Sequence, residues 1–178
     1  MLPSDIASVL HIQSQCYLPG NLESEAVIRA RLASAPGTAW VAELKGAVCA
    51  YLVGYRSRFG QIGALGDGFK PATEPDCLYL HDLAVGPQAR GRGLGQMLVA
   101  HALALARREG LAWSALVSVQ GSQDFWRQRG FTISRLDDRD QSLALASYAE
   151  GQACYMTQRL QETAGSHLPG ELAYSHCS

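Results

Sequence analysis

Apolar residues recur along this chain at two spacings, and the switches between them lay out its elements. Ile6, Val9, Leu10 and Ile12 fall at helical intervals behind Ser4 and Asp5, either of which can cap a helix that closes near Tyr17-Leu18-Pro19-Gly20. A second helix is predicted from Glu23 to Ala33, with Val27, Ile28 and Leu32 on its buried side. Two β-rich runs follow, Thr38 to Leu44 and Ala47 to Tyr55, and the Lys45-Gly46 pair between them predicts a tight antiparallel hairpin.

Residues Gly60 to Asp76 are rich in glycine and proline and lack periodicity, which predicts a long loop of the kind that often carries function. Leu78-Tyr79-Leu80-His81-Asp82-Leu83-Ala84-Val85 reads as a nearly continuous apolar strand, suited to a central place covered on both faces. Leu94, Leu98, Ala102 and Leu105 then mark an amphipathic helix stopped by Gly110. Further on, Trp113 to Val119 predicts a strand, Ser122 to Arg129 a short helix, and Gly130 to Ile133 the start of another strand. Asp137 to Ser142 is expected to be a loop, and Ala153 to Leu160 a last strand. The layout is one α/β domain over residues 1–161, followed by a polar, Gly/Pro-punctuated tail at 162–178 on which the pattern imposes no structure.

Composition narrows the class. The chain has 178 residues, 47% of them hydrophobic, which is enough for one substantial core. Its net charge of -1 supplies no field that would draw it to nucleic acid or a membrane surface. The five cysteines are widely spaced and include no C-x-x-C pair, so they read as reduced thiols rather than as disulfides or a zinc cluster. No apolar run reaches bilayer length, and the start lacks a basic region followed by an apolar stretch. A cytoplasmic protein is expected. The five histidines show no metal-ligand spacing, so no metal is expected.

The chemistry concentrates at Arg90-Gly91-Arg92-Gly93-Leu94-Gly95, between the apolar strand and the amphipathic helix. The first amides of a helix lack internal partners and its dipole favours negative charge, glycines allow close approach, and Arg90 and Arg92 add cations. A diphosphate-like ligand is implied. The segment is not a nucleotide P-loop, because no Lys-Ser/Thr pair follows its glycines. Nor is it a dinucleotide fingerprint, because Gln96 stands where the third glycine would be.

Leu83-Ala84-Val85, the R-x-x-G-x-G pattern of Arg90, Gly93 and Gly95, and Phe125-Trp126-Arg127-Gln128-Arg129-Gly130-Phe131 together resemble the GNAT superfamily of N-acetyltransferases. The resemblance extends from about Ser4 to Leu160. It implies a mixed, mostly antiparallel sheet of six to seven strands, splayed at the cofactor site and flanked by about four helices. It implies that the backbone of Leu83, Ala84 and Val85 pairs with the pantetheine arm of acetyl-CoA. The segment Arg90, Gly91, Arg92, Gly93, Leu94, Gly95 and Gln96 would wrap its pyrophosphate. The implied reaction is direct transfer of acetyl to a primary amine, on a small molecule or a protein. The acceptor would be held around Tyr17 to Leu22, the Gly60 to Asp76 loop and the segment after Asp137.

Transfer to an amine needs a proton acceptor and a polarised thioester. His81 and Asp82 are the candidate bases, since polar residues inside an apolar strand must be partnered, and strand alternation predicts that they face opposite sides of the sheet. Each could instead be a structural hydrogen-bonding group. Trp126 stands where many family members carry a tyrosine that protonates the departing thiolate. An indole cannot give up its proton, which leaves solvent or a hydroxyl such as Ser122, Ser118 or Tyr155. The usual asparagine before this helix is absent too, and Gln120 or Ser122 is a candidate replacement for its contact with pantetheine, unless both only cap the helix. These departures motivate an alternative, a non-catalytic acyl-CoA-binding module. The short stretch before Pro3 leaves an edge on which a homodimer could form.

Overall fold

A computed structural model describes residues 1–64, 66–136, 138–148 and 153–161. The tail at 162–178, with Cys177, His167 and His176, lies outside the described residues. Helix α1 (Ile6–Cys16) follows a 3₁₀ turn at Pro3–Asp5, and α2 (Glu25–Ser34) follows another at Pro19–Asn21. Strands β1 (Ala39–Leu44), β2 (Ala47–Ser57) and β3 (Cys77–Val85) lead to α3 (Leu94–Arg108) and β4 (Trp113–Ser118). The short α4 (Gln123–Arg127), β5 (Thr132–Ile133), α5 (Arg139–Ala146) and β6 (Cys154–Arg159) complete the described chain.

The six strands form one sheet in the order β1-β2-β3-β4-β6-β5. Every pair is antiparallel except β3 with β4, so the sheet is mixed and mostly antiparallel as expected. The hairpin between β1 and β2 turns on Lys45 (φ 52°) and Gly46 (φ 78°), the two consecutive left-handed residues that a tight two-residue connection requires. Strand β3 is central, which accounts for its unbroken apolar run. Leu78 and Leu80 point to the side covered by α3, with Leu98, Leu116 and Met156, while Tyr79 points to the side covered by α1, with Ile6, Ile12, Tyr51 and Tyr155.

Four local expectations are corrected. Helix α2 starts at Glu25, not Glu23, because the Ser24 side chain accepts from Val27 N and caps it there. The polar stretch after Asp137 is not a loop but the start of α5, capped by the Asp138 side chain on Gln141 N and tied down by Gln141 to Ile62 N. The Asp138 cap and Arg139-Asp140-Gln141 supplied a start signal that the polarity of the stretch concealed.

The third correction concerns α4. Ser122 occupies its N-cap position but makes no capping bond, and its hydroxyl donates instead to Val119 O at 2.8 Å. The fourth bears on the site. Residue pairing between β2 and β3 jumps from Gly54↔Leu80 to Val53↔Asp82, so His81 is an extra residue in β3. A one-residue bulge reverses the facing of everything beyond it. His81 and Asp82 therefore lie on the same side of the sheet, the α1 side, and not on opposite sides.

Candidate active site

Strands β3 and β4 are paired only from Cys77↔Trp113 to Leu80↔Leu116. Past that point β3 stays with β2 through Val85↔Ala50, and β4 stays with β6 through Ser118↔Cys154, so the two strands part. Beyond that point β3 loses β4 as its partner, with Leu83 O accepting from the Tyr17 hydroxyl at 3.0 Å and Val85 O from the Cys16 thiol at 3.3 Å, and a cleft of about 350 Å³ opens in the gap. It is lined by Leu80 to Val85, Val117, Val119, Gln120, Ser122, Phe125, Trp126, Cys16, Tyr17, Arg90 and Gly95. The bulge at His81 and the left-handed Gln120 (φ 51°) and Gly121 (φ 71°) sit where the two strands separate.

One end of the cleft meets a second groove, of about 310 Å³, at the start of α3. Gly91 (φ 74°) and Gly93 (φ 75°) are both left-handed, and a Cβ at either would meet nothing within 4 Å, so the loop is open to a bulky group. Gly93 is the N-cap of α3 and brings no side chain to its first amides, which leaves those donors to a ligand. Gly95 fits closely between β3 and α4, where its Cβ would touch Val85 and Phe125. Arg90, Gly91, Gly93, Leu94, Gly95 and Gln96 all line this groove, while Arg92 is exposed and lines neither space. Arg129, to which the sequence assigned no role, lines it as well, its guanidinium 3.4 Å above the Phe125 ring and its Nε buried without a partner. Open glycines, unpaired helix amides, an adjacent cation and a strand edge parted from its neighbour fit a pyrophosphate carrying an extended arm.

Deeper in the cleft, the two candidate bases are already engaged. Asp82 Oδ1 accepts from the Tyr17 hydroxyl at 2.5 Å and Oδ2 from the Tyr51 hydroxyl at 2.6 Å. Burial pushes the Asp82 carboxyl above its ordinary value, and the two phenol donors only partly offset this. His81 Nε2 lies 2.8 Å from Arg31 Nη1, and since a guanidinium can only donate, Nε2 accepts and the ring proton is on Nδ1. The His81 ring thus has no free lone pair, and each Asp82 oxygen already accepts one phenol hydrogen.

Arg31 is 2% exposed and holds this cluster together. It donates to Asp67 O through Nε and Nη2, at 3.0 and 2.6 Å, and to Glu23 Oε2 through Nη1. Burial would raise the Glu23 carboxyl, but the neighbouring His81 and Arg31 more than reverse that and bring it to about 2. Glu23 and Arg31 were missed from sequence. The available signal was a charged residue one turn beyond Ile28, on the inward stripe of α2.

Ser122 lies in the cleft, 3.0 Å from Ser118 Oγ. Because its proton is given to Val119 O, Ser118 is the donor between the two serines. Tyr155 points away, on the α1 side, and its hydroxyl accepts from Gly60 N. Trp126 lines the cleft at 7% exposure and packs edge-on against Phe125 and Phe131. Among the described residues no cluster of potential metal ligands occurs, and no helix is long and apolar enough to cross a membrane.

The family model of the Acetyltransferase (GNAT) family matches residues 6–131, and the chain belongs to that family. No curated protein matches it in sequence. Among solved structures, the loading GNATL domain of CurA from Lyngbya majuscula superposes with a TM-score of 0.69 at 12% identity, covering 90% of this chain and 95% of that one. The GphF GNAT-like decarboxylase, in complex with isobutyryl-CoA, gives 0.68 at 21% identity over 90% and 97%. The ribosomal-protein-S18-alanine N-acetyltransferase from Escherichia coli gives 0.64 at 15% identity over 98% and 96%. At these identities the likeness is one of fold, and it spans proteins named for different reactions.

Proposed function

We propose that the chain is an N-acetyltransferase that uses acetyl-CoA and a primary amine. The observation that carries this reading is the cleft where β3 and β4 part, with the glycine-lined, amide-rich start of α3 at one end and the Glu23–His81–Arg31 cluster near the other. When bound, acetyl-CoA supplies an acyl group already activated as a thioester, so no covalent enzyme intermediate is needed. The loop from Arg90 to Gln96 holds the phosphates, with Arg92 at its exposed rim, and the backbone of β3 at Leu83, Ala84 and Val85, parted from β4, aligns the extended arm. Gln120 and Trp126 wall the cleft on the β4 side.

With Asp82 and His81 both engaged, their proposed part is to position neighbours: Asp82 anchors Tyr17, and His81 accepts from Arg31. The amine loses its proton to water before attack. Ser122 lines the cleft with Ser118 donating to its oxygen, and its proposed part is to pass a proton from solvent to the departing thiolate, its own hydrogen leaving Val119 O as it does so.

The test is purified protein with acetyl-CoA and a panel of amines, read as release of free thiol. A second reading, a module that binds acyl-CoA without turnover, draws on Trp126, whose indole replaces an acidic phenol. Binding of CoA with no thiol release for any amine favours that module, and absence of CoA binding defeats both.

A further inference from the structure

Glu23 carries an unfinished interaction. Its Oε2 is paired with Arg31, but Oε1 is buried with no hydrogen-bond partner, and the side chain is only 6% exposed. His81 Nε2 stands 3.5 Å from Oε1 and lies 2.8 Å from Arg31 Nη1. A buried ionised oxygen without a donor is costly, so such an atom in a native fold calls for a ligand. Glu23 also walls a chamber of about 50 Å³ beside the cleft, together with Tyr17, Asn21, Val117 and Tyr148. Glu23 and His81 line this chamber and Arg31 does not.

Resting on the acetyltransferase reading, we propose that Glu23 Oε1 anchors the acceptor amine, and that the acceptor is a primary amine on an unbranched carbon. An N–H donor supplies what Oε1 lacks. The chamber's size sets the shape: about 10–15 Å³ of such space holds one water, so 50 Å³ takes a slender run of a few atoms. Val117 and the Tyr17 and Tyr148 side chains wall this narrow space. The chamber shares Tyr17, His81, Asp82, Val117 and Val119 with the cleft, so an amine on Glu23 lies next to the gap between β3 and β4.

The test compares n-butylamine with sec-butylamine, isomers that differ only in branching at the carbon bearing nitrogen, on the wild-type chain and on Glu23→Gln and Glu23→Asp. Expected is a kcat/KM at least tenfold higher for n-butylamine. Both variants should raise the KM for n-butylamine at least tenfold, while CoA affinity by calorimetry stays within about twofold and kcat within about threefold. Equal use of the two isomers, or an unchanged KM in variants that still bind CoA, overturns the proposal while leaving the acetyltransferase reading intact. Wild-type protein that binds CoA and turns over no amine overturns both. If neither variant folds, the isomer comparison on the wild-type chain decides.

Discussion

Tyr17 donates its hydroxyl hydrogen to Asp82 Oδ1 at 2.5 Å, joining the end of α1 to the middle of β3 across 65 residues of sequence. The bond fixes one wall of the cleft, and it makes the stability of the domain depend on pH in a definite direction. Burial holds the Asp82 carboxyl above its ordinary value, so the folded chain binds that proton more tightly than the unfolded chain. Stability from this group therefore falls as pH rises from the unfolded value of 3.8 through the higher native one. Tyr17→Phe removes a donor that favours the ionised form and deepens that fall. Urea unfolding should show a loss of about 1–3 kcal/mol at pH 7.5 and a smaller loss at pH 5.

Glu23 has the opposite sign. Its carboxyl stands at about 2 in the fold against an ordinary 4.5, so its contribution is complete above 4.5 and is lost as pH falls toward 2. A shift of that size corresponds to about 3 kcal/mol. Glu23→Gln should therefore be less stable than wild type at pH 7 by about that amount, and unfolding curves of the two should converge between pH 4.5 and 2.5.

Gly93 sits at φ 75° with open space where a Cβ would stand. Gly93→Val should fold, at a cost of about 1–2 kcal/mol for a branched residue in the left-handed region. Its side chain would occupy the groove at the start of α3, so CoA affinity by calorimetry should fall at least tenfold. Unchanged affinity would mean that the phosphates lie elsewhere.

The engagement of His81 Nε2 by Arg31 predicts a particular rate profile. With no free imidazole nitrogen to take the proton, log kcat/KM for n-butylamine should climb with unit slope toward the amine's own pKa, about 10.4 by analogy with lysine. An inflection near the ordinary histidine value of about 6.5, abolished in His81→Ala, would instead identify His81 as the base.

Ser122→Ala tests the other proton. The thiolate is a good leaving group, so loss of its proton source should lower kcat by roughly tenfold, short of the 10²–10⁴ typical of full acid–base catalysis, and leave CoA affinity unchanged. A rate within twofold of wild type would assign the protonation to solvent.

The local rules that act between near neighbours were legible in the sequence. Lys45-Gly46 determined a hairpin because consecutive left-handed residues fit that turn. The apolar run from Leu78 determined a central strand because both of its faces are covered. Arg90, Gly93 and Gly95 marked a glycine-rich helix start with uncapped amides because these features belong to one short segment. Only the tertiary structure decided what depends on register and on partners distant in sequence. The extra residue at His81 arises from how β3 pairs with β2, and it reversed the facing that strict alternation predicts. The occupation of Asp82 by Tyr17 and Tyr51, and of His81 by Arg31, arises where α1, α2 and β2 converge on one strand. A buried charge takes its role from whatever reaches it in three dimensions, which is why Glu23 read as a helix start in the sequence and stands as a half-paired carboxylate beside the cleft in the fold.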